Sequence, residues 1–195
     1  MKQPFCNALL CLSLFATSCN ESQQEGDRTE PQVCYNPNAI VNDTTRQSIK
    51  SAVSGQIGRA SVNIHYHSPK VRERIIWGGL VPFDDVWVTG AHDATTVEIS
   101  QNFEINGVQI HPGKYALFTI PGKETWIVIL NKKWEQHLAN EYDQEDDLVR
   151  VQVSPQTNAH TERLQYFVED VGNNEGFISV AWEKIKIRLP LKIIR

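Results

Sequence analysis

From about residue 46 onward, apolar and polar residues alternate with a period of two. Val62, Ile64 and Tyr66 alternate with Ser61, Asn63, His65 and His67, and Val97 and Ile99 alternate with Thr96, Glu98 and Ser100. That period places successive side chains on opposite faces of a strand. Further β-branched or aromatic runs span 115–120, 126–130, 149–153, 164–168 and 177–182. Turn-forming residues separate the runs: Asn106-Gly107, Pro112-Gly113, Pro121-Gly122, Ser154-Pro155 and Gly172-Asn173-Asn174. Asn106-Gly107, set between two short apolar segments, predicts a type I′ hairpin, whose two central residues need positive φ. Many short strands at regular spacing predict an all-β domain, an antiparallel β-sandwich or barrel. One stretch departs from the rhythm. Within 132–141, Trp134, His137 and Leu138 stand at i, i+3 and i+4, which predicts one short helix with its apolar face on the sheet.

The first 45 residues follow another pattern. Lys2 precedes a short apolar run from Ala8 to Ala16, too short for the roughly 20 residues a spanning helix needs. A basic start, a short apolar core and small residues at its end predict a secretory signal over residues 1–18. Its end, Ala16-Thr17-Ser18-Cys19, resembles the lipobox of bacterial lipoproteins, in which Cys19 would carry the lipid. An ordinary signal peptide cut near Ser18 is the other reading. Residues 19–45 are polar and hold Pro31 and Pro37, which predicts a flexible tether after the lipidated Cys19, with the folded domain at 46–195. The expected location is across the inner membrane and lipid-anchored in the cell envelope, on the outer membrane, with the anchor as the membrane contact.

Composition adds limits. The chain has 195 residues, which suits one domain, and a net charge of -4, which argues against a nucleic acid partner. Of its four cysteines, Cys6 and Cys11 fall in the leader and Cys19 at its end. Cys34 is then the one thiol left free, in a linker-like setting, and no intramolecular disulfide is expected.

Familiar catalytic motifs are missing: no Gly-x-Ser-x-Gly elbow, no His-Glu-x-x-His, no Walker loop. Histidine is the candidate chemistry. His65 and His67 are two apart on one strand and share its face, opposite Val62, Ile64 and Tyr66. His92 follows the turn Val88-Thr89-Gly90-Ala91, and His137 lies on the expected helix face. Three or four convergent neutral imidazoles would suit a divalent metal, Zn, Cu or Fe. The plainer alternative is a set of polar strand histidines and a packed His137. Glu98, on the same strand face as Thr96, is the candidate base or supporting carboxylate.

Three motifs in order carry a family resemblance: Tyr66-His67-Ser68-Pro69 running on to Trp77-Gly78-Gly79-Leu80-Val81-Pro82, then Trp87-Val88-Thr89-Gly90-Ala91-His92-Asp93, then Pro112-Gly113-Lys114-Tyr115. With Trp126, Asn131 and Ala181-Trp182-Glu183, they resemble domain-of-unknown-function family 2911, a family of secreted or lipid-anchored bacterial proteins. The resemblance covers nearly all of 46–190 and implies an address, with no established activity. The commoner family pattern reads Tyr-Ser-Arg-Pro and Trp-Arg-Thr-Gly-Ala-Asn. In this chain two arginines and an asparagine are therefore replaced by Ser68, Val88 and His92, and His67 is gained. Exchanging fixed positive charge for imidazole is what a cation site would need. Two functions are expected from these readings. One is a tethered β-sandwich binding an unknown small molecule or protein, with a metal in its site. The other is a metal-dependent hydrolase or oxygenase with His67, His92 and His137 as ligands.

Overall fold

A computed structural model describes residues 43–195. The expected leader, the lipidated Cys19 and Cys34 lie outside the described residues. Ten strands follow in order: β1 (Ile49–Ile57), β2 (Ala60–Ser68), β3 (Thr95–Ile99), β4 (Phe103–Ile105), β5 (Val108–Ile110), β6 (Gly113–Ile120), β7 (Trp126–Asn131), β8 (Asp147–Val153), β9 (Gln156–Gly172) and β10 (Glu175–Ile193). They form two antiparallel sheets, one ordered β1-β2-β3-β6-β7-β8 and the other β5-β4-β10-β9. The fold is the expected all-β sandwich.

The alternation read from the sequence sets which side of each strand meets the core. Val62, Ile64 and Tyr66 of β2 turn inward with Val97 and Ile99 of β3, and meet Leu164 and Tyr166 of β9 and Ile178, Val180 and Trp182 of β10. Burying such side chains stabilises the sandwich by roughly 1.5–3 kcal/mol each, before the cost of ordering the chain. The predicted hairpin is present. Asn106 and Gly107 sit at φ 51° and 81° between the paired β4 and β5.

Within the core, four indoles from separate stretches of chain meet. Trp77 stands edge-on to Trp126 at 4.8 Å between ring centroids, and to Trp87 and Trp182 at 5.8 Å each. Trp87 and Trp182 stack with an interplanar angle of 21°.

The helix expected at 132–141 is not formed. The only helical turn among the described residues is a short 3-10 turn, Gln144–Asp146. Trp134 and Ala139 instead pack with Val88, Ala94, Phe118 and Ile129 on the outer face of the larger sheet. The backbone is bonded sideways instead of along a helix axis. Asn131 Oδ1 accepts the Lys133 N–H, His137 forms an isolated antiparallel bridge with Asp93, and the Leu138 N–H donates to the His92 carbonyl. Leu138 also takes a left-handed conformation, φ 55°, which an α-helix excludes.

The N-terminal end of the described chain is fastened to β9. Arg163 is 1% exposed, and its Nε donates to Asp43 Oδ2 at 2.6 Å. Its two terminal nitrogens donate to the carbonyls of Thr45, Gln47 and Ser68. Asp43 also pairs with Lys70 at 3.0 Å. The last residues of the expected 19–45 segment are thus bonded to the domain.

Candidate functional site

The loop joining β2 to β3 positions the candidate chemistry. Near its end, Val88-Thr89-Gly90-Ala91-His92 is held in a shape the sequence would not adopt alone. Thr89 (φ 52°) and His92 (φ 60°) are both left-handed. For a β-branched residue such as Thr89 this is an outlier, which costs of order 1–3 kcal/mol and must be enforced by its surroundings. The enforcement is visible. Thr89 is fully buried, with its Oγ1 3.0 Å from Thr119 Oγ1. Its carbonyl accepts from Tyr166 Oη at 2.9 Å and Thr95 Oγ1 at 3.1 Å. Trp87 Nε1 donates to the Gly90 carbonyl at 3.0 Å. Gly90 has to be small here, because a Cβ would come within 3.1 Å of the His67 carbonyl and of Thr95 Oγ1.

On one side of this loop lie the histidines. The His67 and His92 rings meet edge-on, centroids 5.1 Å apart. His137 Nδ1 lies 3.1 Å from Asp93 Oδ1. Asp93 is the member of this group that histidine counting missed. The signal was its place next to His92, and only the bridge to His137 gives it a role. The hydrogen bond with His137 holds the Asp93 carboxyl below its usual range, helped by the nearby His67. Burial pushes the His67 imidazole down, against the pull of Asp93. His67 is therefore biased toward the neutral form.

His65 shares the His67 face, as expected, and both border a shallow hollow with Asp93, Thr96, Lys50 and Lys114. Burial and Lys114 push the His65 imidazole down, with Glu98 pulling the other way. Glu98 is exposed on β3, opposite Asn63 and Lys114. The structure therefore gathers His67, His92, Asp93 and His137, and leaves His65 and Glu98 one and two steps along the face. Among the described residues, no three His, Cys, Asp or Glu side chains already surround one point as metal ligands.

On the other side of the loop is a cleft of about 740 Å³. That volume is in the range of small-molecule sites. Its wall includes Val88, Gly90, Ala91 and His92 of the strained loop, and its floor holds Trp87 and Trp182. Sequence reading missed this cleft, because its residues come from four separate stretches of chain and follow no common spacing. His92 alone belongs to both the cleft and the histidine group.

Fold and site together define an antiparallel β-sandwich with a strained, site-bearing loop between its second and third strands. The family described as "Protein of unknown function (DUF2911)" matches residues 48–191, and the chain belongs to it. No curated protein and no solved structure matches the chain significantly.

Proposed function

We propose that this protein is a lipid-anchored envelope lipoprotein whose sandwich domain binds a small molecule in the cleft beside residues 88–92, without transforming it. The observation that carries the reading is the paired strain at His92, on the cleft wall, and at the fully buried Thr89 between the wall residues Val88 and Gly90. Strain enforced by a buried hydroxyl network has a cost, and such outliers cluster at binding and catalytic sites. The Ala16-Thr17-Ser18-Cys19 pattern supports the anchor.

Two measurements test this. The protein extracted from its own envelope should appear by native mass spectrometry with a small-molecule adduct that Leu138→Asp, on the cleft rim, removes. Labelled fatty acid should enter the wild-type chain and not Cys19→Ala. An adduct-free protein whose melting temperature no small-molecule library moves would overturn the binding reading. Equal labelling of Cys19→Ala would overturn the anchor.

A second reading is favoured by the edge-on contact of His67 and His92 beside the Asp93–His137 pair. Here the same loop contributes to a metal site, with His67, His92 and His137 as imidazole ligands and Asp93 as a carboxylate. His137 would ligate through Nε2, with Nδ1 keeping its bond to Asp93 Oδ1. Metal analysis of untagged protein decides it. Stoichiometric zinc, copper or iron that is lost in both His67→Ala and His92→Ala supports the site, and metal-free wild-type protein sinks it.

A further inference from the structure

We propose that the ligand of the cleft is an anionic amphiphile: an oxyanion head on an apolar or aromatic body. The inference rests on the cleft being a ligand seat.

The charge of the wall is one-sided. Arg46, Lys70, Arg72 and Arg74 line the cleft, and no Asp or Glu does among the described residues. Two of these cations are already engaged. Lys70 is paired with Asp43, which Arg163 also shares. Arg74 donates through Nε and Nη2 to the carbonyls of Val71 and Lys70. Those carbonyls fix the guanidinium without neutralising it. The side chains of Arg46 and Arg72 make no ion pair or hydrogen bond among the described residues, and both residues are exposed. A guanidinium presents a planar fork of donors that matches carboxylate, sulfonate or phosphate oxygens, so unpaired forks at one cleft mark a seat for an oxyanion.

The floor has the opposite character. The stacked Trp87 and Trp182 rings lie beside Val81 and Val88. Leu80 and Leu138, 47% and 39% exposed, stand on the same cleft. Large aliphatic side chains left open to water on a concave surface point to an apolar partner. Trp182 adds a polar signal. Its ring is 2% exposed, and its Nε1 is buried without a hydrogen-bond partner among the described residues. An unpaired buried N–H is costly.

The test uses the full chain and two fluorescent dyes with the same aromatic body. The dye 1-anilinonaphthalene-8-sulfonate carries the anion, and N-phenyl-1-naphthylamine does not. The sulfonate should bind at least about tenfold tighter than the neutral dye, a difference of the size expected for one charge-assisted contact. The double variant Arg46→Gln/Arg72→Gln should remove that advantage while leaving the neutral dye's affinity and the melting temperature unchanged. Decanoate should displace the sulfonate dye, and inorganic phosphate should not.

Equal binding of the two dyes, both blocked by Leu138→Asp, would overturn the anionic head and leave an apolar seat. Displacement by phosphate as effective as by decanoate would overturn the apolar body. Binding of neither dye, in a chain that also shows no native adduct, would overturn the seat itself.

Discussion

His92 stands edge-on to His67, ring centroids 5.1 Å apart, although 24 positions of sequence separate them and His92 must adopt a left-handed backbone to reach. Lys50 sits opposite His67 on β1 and repels a proton or any other cation there. On the metal reading, Lys50→Gln should therefore tighten zinc binding. His67→Ala and His92→Ala should each weaken it by roughly tenfold or more. Titration calorimetry with zinc on the untagged chain reads all three, and a Lys50→Gln affinity equal to wild type would contradict the placement of the ion near His67.

Thr89 separates strain from hydrogen bonding. Thr89→Val keeps both the branched shape and the positive φ but removes the hydroxyl beside Thr119 Oγ1. It should cost about 1–3 kcal/mol, because the buried Thr119 hydroxyl loses its partner. Thr89→Gly loses the same hydroxyl but relieves the backbone, and should cost about 1 kcal/mol less. Denaturant melts of the two variants check the order. A glycine variant less stable than the valine one would mean that the strain relieved is smaller than the cost of the buried methyl lost and the freer unfolded chain.

Asp43 faces two cations, and the Arg163 guanidinium first among them holds its carboxyl well below the usual carboxylate range. A depressed folded-state value means the contribution is fully present above the unfolded carboxylate value, near 3.9. It is lost as the pH falls below that toward the folded value. Asp43→Asn should destabilise the domain by about 3 kcal/mol at neutral pH, since Arg163 is left buried with only carbonyl partners. The difference in melting temperature between variant and wild type should shrink as the pH is lowered from 5 toward 2. A gap that stays constant over that range would show that the pair is not the source.

Gly55 of β1 meets Val168 of β9 across the two sheets, and a Cβ at position 55 would lie 2.6 Å from the valine Cβ. Gly55→Ala should cost about 1–3 kcal/mol through overpacking. Chemical denaturation measures it, and a neutral substitution would show that the sheets can part there without cost.

The alternation of apolar residues in β2 and β3, and the Asn106-Gly107 turn, made the sandwich legible, because a half-buried strand writes its two faces directly into the sequence. β1 was not legible. Its stretch Ser51-Ala52-Val53-Ser54-Gly55 carries few large apolar side chains, since Gly55 is where β9 needs room. The expected helix at 132–141 failed for a related reason. Trp134 and Leu138 have helical spacing, but Trp134 packs on the outer face of the larger sheet while Leu138 stands on the cleft, and the Lys133 and Leu138 N–H groups go to Asn131 Oδ1 and the His92 carbonyl. Of the site, His67 and His92 could be paired through their motifs. The role of Asp93 and the cationic cleft could not be read, because His137 and the cleft residues come from distant stretches of chain with no common spacing.

The four-indole group has an optical consequence. With Trp77 within 6 Å of Trp87, Trp126 and Trp182, light absorbed by one ring is shared among all four. Since Trp87 and Trp182 also floor the cleft, an occupant touching either ring would alter the emission of the whole group. The domain thus carries its own unlabelled gauge of occupancy, and its near-ultraviolet dichroism would vanish as soon as the sheets separate.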